Sequence, residues 1–167
     1  MSHTKTITIF GFTIFILAIA ILAIMLFRDK HNNSLSESVL AKEIANICKK
    51  QRHCTIVMKD LITENWDKMY VFKLSAHLQD INRALGFEYH YFEDIATRIV
   101  FVKDSIVVYH EDEFPDPESP KNNELIFDIE DRANYKMYTP NNAIFDIQTV
   151  NFNKNSKYYK LTQVNKN

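Results

Sequence analysis

"TRIVFVKDSIVVYHE", residues 97–111, decides the fold class. Two runs rich in β-branched residues, 97–102 and 105–111, flank the polar pair Lys103-Asp104, which is the pattern of a β-hairpin. The turn lacks the Asn-Gly or Asp-Gly that two-residue hairpins favour, so its type is left open. Immediately upstream, "ENWDKMYVF" (64–72) alternates Met69, Val71 and the stem of Lys73 with Tyr70 and Phe72. Both faces are apolar, as a central strand covered by a helix requires. Trp66, the chain's single tryptophan, is expected to seal the entry to that strand. A second use for it is as an anchor in a partner interface. Asp67 is placed to brace the following turn.

Working outward from this centre, "CTIVMKDL" (54–61) reads as a strand and "ITEN" (62–65) as the turn after it. Ser75 is expected to cap a helix with Leu78, Ile81 and Leu85 on one side, ended by Gly86 in the left-handed conformation. "FEYHYF" (87–92) fits a strand or extended edge with an aromatic face. On the other side, "EDEFPDPESP" (111–120) combines three prolines with Glu111, Asp112, Glu113, Asp116 and Glu118, and reads as a loop. "ELIFDIE", "NYKMYT", "NAIFDIQTV" and "KYYKLTQV" follow as four short strands in a meander. Nearer the amino terminus, Ser34 and Glu37 form a capping-box pattern. From it a helix runs with Leu35, Val39, Leu40, Ile44, Ile47 and Cys48 as its apolar stripe; a helix lying on a membrane surface is the alternative.

Residues 7–27 carry no charge, and at about 1.5 Å per residue the run spans a hydrocarbon layer of roughly 30 Å. A single transmembrane anchor is expected, since the apolar run continues past the small-residue triplet Ala18-Ile19-Ala20 where a cleaved signal would turn polar. The organisation is then a tail (1–6), the anchor (7–27), a linker (28–34) and one domain (35–167). The class is α+β, with two helices and a mostly antiparallel sheet.

The net charge of −1 suggests neither a nucleic-acid partner nor a strongly anionic surface for the whole chain. Charge is nevertheless segregated, acids in 111–131 and lysines in 151–167, where Lys157 and Lys160 stand without a nearby acid in sequence. Of the two glycines, Gly11 lies in the apolar run and Gly86 ends a helix, so no Gly-rich loop exists to cradle a phosphate. No nucleotide and no other cofactor are implied. His90 with Glu93 and Asp94, and His110 beside the acids, are the residues an uncharacterised hydrolase or metal-dependent centre would use. Cys48 and Cys54 are spaced to close a small loop if their Cα atoms come within about 7 Å. Buried free thiols are the equal alternative, and the spacing matches neither a redox pair nor a zinc half-site.

"NWDKMYVF", "INRALGF" and "IVFVKDSIVVYHEDEF" together resemble a group of small bacterial envelope proteins that carry a WD-x-x-Y-x-F segment, an LGF helix end and a following hairpin. The resemblance covers residues 54–114 and brings no catalytic residues with it. It implies a bacterial envelope setting and leaves function open. The six-residue tail ahead of the 7–27 run, followed by a large domain, suits a signal anchor in the inner membrane with the carboxy-terminal domain on the periplasmic side, although the charges flanking the run do not decide the orientation. The expectation is a membrane-tethered, non-enzymatic protein-binding domain, immunity- or inhibitor-like, with Trp66, Asp112, Glu113, Asp116, Lys157 and Lys160 as contacts to a protein partner. Its rivals are a structural accessory subunit of an envelope complex and the His90/His110 centre.

Overall fold

The computed structural model describes residues 38–49, 51–114, 122–130, 132–152 and 156–164. The anchor expected at 7–27 and the Ser34–Glu37 box lie outside these residues. Among the described helices none is long and apolar enough to cross a membrane.

The elements in chain order are α1 (Val39–Ile47), β1 (His53–Val57), α2 (Met58–Leu61), β2 (Lys68–Phe72), α3 (Leu78–Leu85), β3 (Thr97–Lys103), β4 (Ile106–Glu113), β5 (Glu124–Phe127), β6 (Tyr135–Tyr138), β7 (Ile144–Asn151) and β8 (Lys157–Gln163). The strands form two four-stranded sheets, one in the order β1-β7-β8-β5 and the other β4-β3-β2-β6. We call them the β7 sheet and the β3 sheet. All neighbours are antiparallel except β5, which runs parallel to β8. The α+β class and the mostly antiparallel pairing therefore hold, with three described helices where two were expected.

The two sheets share one core. Met69, Val71, Ile99, Phe101 and Tyr138 of the β3 sheet join Cys54, Ile56, Leu125, Phe145, Ile147, Tyr159 and Leu161 of the β7 sheet, with Leu40, Ala41 and Ile44 of α1. Tyr138 meets Phe145 edge-on across the gap at 5.0 Å between ring centres. On its other face the β3 sheet presents Tyr70, Phe72, Val100 and Val102 to Ile81 and Leu85 of α3. Strand β2 is thus apolar on both faces because it separates two cores.

Several boundaries differ from the sequence reading. The strand from Cys54 ends at Val57, and Met58–Leu61 makes a single helical turn that buries Met58. Residues 87–92 form no strand; Tyr89 is buried there between flanking exposed residues. The last four strands are not a meander, because β6 leaves for the other sheet and pairs with β2, Tyr138 opposite Met69. Residues 111–113 belong to β4 and not to the loop, since alternation carries the ladder to Glu113 opposite Thr97 before the first proline acts. In α1 Leu40, Ala41, Ile44 and Cys48 are buried, while Val39 and Ile47 are exposed. Helix α3 starts from His77 without a side-chain cap, not from Ser75, and ends at Gly86 with φ of 81° as a left-handed cap requires.

Candidate functional site

The hairpin that fixes the fold is closed by a two-residue turn with Asp104 and Ser105 at φ of 49° and 64°. Positive φ at both central positions is the mirror-image turn that matches strand twist, here built without glycine. Asp67 compensates from β2's entry: its carboxylate accepts from the Lys103 ammonium at 2.7 Å and from the Asp104 backbone N–H at 3.3 Å. The Lys103 bond holds the Asp67 carboxyl below its ordinary value, and Asp67 in turn raises Lys103. Trp66 beside it is 4% exposed and packs edge-on against Phe101, so it is a core residue and not a surface contact.

Two acids of β4, Glu111 and Asp112, are committed. Glu111 reaches across to the start of α1, where its carboxylate accepts from Ser38 Oγ at 2.6 Å, Val39 N at 2.8 Å and Leu40 N at 3.3 Å. It also accepts the Tyr109 hydroxyl at 2.5 Å, and burial together with this bond pushes the Tyr109 phenol well above its usual range. A carboxylate at a helix amino terminus satisfies unpaired N–H groups and meets the positive end of the dipole. Ser38 Oγ itself accepts from Ala41 N at 2.9 Å, so the cap is doubled.

Asp112 is held by Arg98, the opposite residue on β3. The pair is bidentate, Nε to Oδ1 at 2.7 Å and Nη2 to Oδ2 at 2.7 Å, and the guanidinium also donates to the Glu93 carbonyl at 2.6 Å. Arg98 is buried at 1%, and its cation lies over the rings of Phe92 (4.9 Å) and Tyr89 (5.4 Å). Burial raises the Tyr89 phenol far above its ordinary value. Between Glu93 and Arg98, Ile95 is β-branched, exposed and at φ of 57°, a strained conformation that the Arg98 grip helps hold. Arg98 was not singled out from the sequence. Its position in the alternating register of 97–102, on the face that otherwise carries Val100 and Val102, was the available signal.

The two histidines that the rival centre would use sit in different environments. His90 is exposed, and its nearest carboxylate is Glu88 at 4.0 Å. His110 stacks on Tyr91 with ring centres 4.2 Å apart, and burial of the imidazole lowers its pKa despite nearby Asp112. Glu93 contributes its carbonyl to Arg98, and the Asp94 carboxylate turns back to the Ile95 N–H at 3.0 Å. Among the described residues no three His, Cys, Asp or Glu side chains are grouped to hold a metal. Asp116 lies outside the described residues.

The lysines of β8 part ways. Lys157 sits over the Tyr159 ring at 5.3 Å, whereas Lys160 is exposed on the outer face of the β7 sheet, 3.6 Å from Asp128. On that face Tyr159 and Leu161 point inward, while His53, Thr55, Ile126, Asp146, Lys160 and Thr162 are all exposed. His53 and Asp146 face each other there at 3.8 Å. The face is therefore polar with isolated apolar positions, and its charges are paired across neighbouring strands. Cys48 and Cys54, 5.7 Å apart at Cα, are joined by a disulfide that ties the end of α1 to β1.

No protein-family model matches the chain, and neither a curated protein nor a solved structure was found similar to it.

Proposed function

We propose that the chain is a membrane-tethered, non-enzymatic protein-binding domain of the bacterial envelope, immunity- or inhibitor-like, with the outer face of the β7 sheet as its contact surface. The observation that carries this is the solvent-facing side of that four-stranded sheet, where Ile126, Asp146 and Lys160 are exposed, with Asp128 just past the end of β5 near Lys160. At about 4.8 Å between strands and 3.4 Å per residue such a face covers roughly 450 Å². That is about half of one partner's share in a standard interface, so adjoining loops must complete it. The 7–27 run supports tethering, and the Cys48–Cys54 bridge suits an oxidising compartment. The acids Asp67, Glu111 and Asp112 are occupied in structural bonds, which favours recognition over acid–base chemistry.

The test is photo-crosslinking in intact cells with the full chain. A photoreactive residue replacing Tyr158 on β8 is expected to give a discrete protein adduct that Lys160→Glu abolishes, while the same residue at exposed Gln79 on α3 gives none. Equal, diffuse labelling from both positions would refute the assigned surface.

A further inference from the structure

At one end of the β7 sheet three segments meet. The bridge between Cys48 and Cys54 pins the loop between them, and that loop is fixed to β7 by Thr149 N donating to the Arg52 carbonyl at 3.0 Å. Gln51, Arg52, Val150 and Asn151 line a shallow open depression there. Asn151 pairs with Lys157, which brings the start of β8 to the same end. The sequence over 47–57 and 147–163 contains Lys49, Lys50, Arg52, Lys154, Lys157 and Lys160 and no aspartate or glutamate, and the one acid that the strand register brings beside the start of β8 is Glu124, opposite Tyr158. Two large apolar side chains are exposed beside these cations, Ile47 at 49% and Phe152 at 50%. Cations interleaved with exposed apolar groups are what an interfacial membrane contact requires: the ammonium and guanidinium groups meet phosphates, and the apolar groups enter the headgroup layer.

We propose that this end of the β7 sheet rests on anionic phospholipid headgroups of the bilayer that anchors the chain. The proposal rests on the tethered reading above. Residues 28–38, at no more than about 3.5 Å each, allow α1 to begin within roughly 40 Å of the membrane. Helix α1 then runs toward the bridge over about 14 Å, so the basic end lies inside the tether's reach. Charge complementarity and the flanking Phe152 select a lipid surface over an acidic protein, which would leave Phe152 without a reason for its exposure. Docking in this manner also leaves the outer sheet face open to the side.

The experiment uses the full chain carrying Phe152→Trp, reconstituted through its anchor into vesicles of phosphatidylcholine alone or with phosphatidylglycerol, each with brominated acyl chains. Trp66 is buried, so the introduced indole is the one the lipid quenches. Quenching is expected in the anionic vesicles, weak in the neutral ones, and reversed at an ionic strength of about 0.5 M, where screening is strong. Each cation near an anionic surface strengthens association about fivefold, so Lys49→Gln, Arg52→Gln and Lys157→Gln together should reduce docking about a hundredfold. Equal quenching in both lipids, or none in either while the chain resists alkaline extraction, overturns the docking and leaves tethering intact. Salt-sensitive crosslinking of this end to an acidic protein without lipid quenching also overturns it. Extraction of the chain by alkali overturns tethering and the docking with it.

Discussion

Replacing Asp112 by alanine leaves the Arg98 guanidinium buried at 1% with its bidentate partner gone. An uncompensated buried charge typically costs 3–5 kcal/mol. The lower end applies, about 3 kcal/mol, because the Glu93 carbonyl and the rings of Phe92 and Tyr89 still hold the cation. The reverse change, Arg98→Met, should cost less, about 2 kcal/mol. Asp112 keeps 11% exposure and can turn to water, and a thioether fits between the two rings. With both changes made, neither charge is stranded. The double variant should then be more stable than the sum of the singles by about 2 kcal/mol. Urea unfolding followed by Trp66 fluorescence reports all four proteins, since that ring is buried against Phe101. Additive losses, or an Asp112→Ala variant within about 1 kcal/mol of the parent, would refute the view that this pair fastens the edge strand.

Glu111→Ala removes the carboxylate that caps α1 from a distant strand and should destabilise the domain by about 2 kcal/mol; hydrogen exchange should quicken first at Val39 and Leu40, and uniform quickening across the domain would refute a local cap. Ser105→Gly relieves a left-handed residue in the 103–106 turn and should stabilise by about 1 kcal/mol, seen as a raised unfolding midpoint. The His110 imidazole is held below its ordinary value of 6.5, so as pH falls the unfolded chain takes the proton before the folded one. Stability should therefore decline below pH 6.5, and His110→Gln should flatten that decline; an NMR midpoint above 6.5 would reverse the sign.

The two-sided apolar pattern of β2, the hairpin of β3 and β4, and the Gly86 helix end were legible in the chain because each depends on neighbours within a few residues. Alternation and the left-handed requirement are local properties. The roles of the acids were not legible. Glu111, Asp112 and Glu113 sit beside three prolines, and composition alone assigns them to a solvated loop. The partners of Glu111 and Asp112, the start of α1 and Arg98, lie 72 and 14 residues away. The same holds for Asp67, whose nearness to the turn at Lys103 follows only from the β2–β3 register.

Sequence by itself determined the uncharged 7–27 run, the α+β class, the absence of a glycine-rich phosphate loop and the identity of most strands. Tertiary structure decided how those strands divide between two sheets, that Trp66 belongs to the core, and that His90 and His110 point to different surroundings. The division follows from what each level encodes. Periodicity records which face of an element is apolar, but which other face it meets is chosen by the packing of the whole chain.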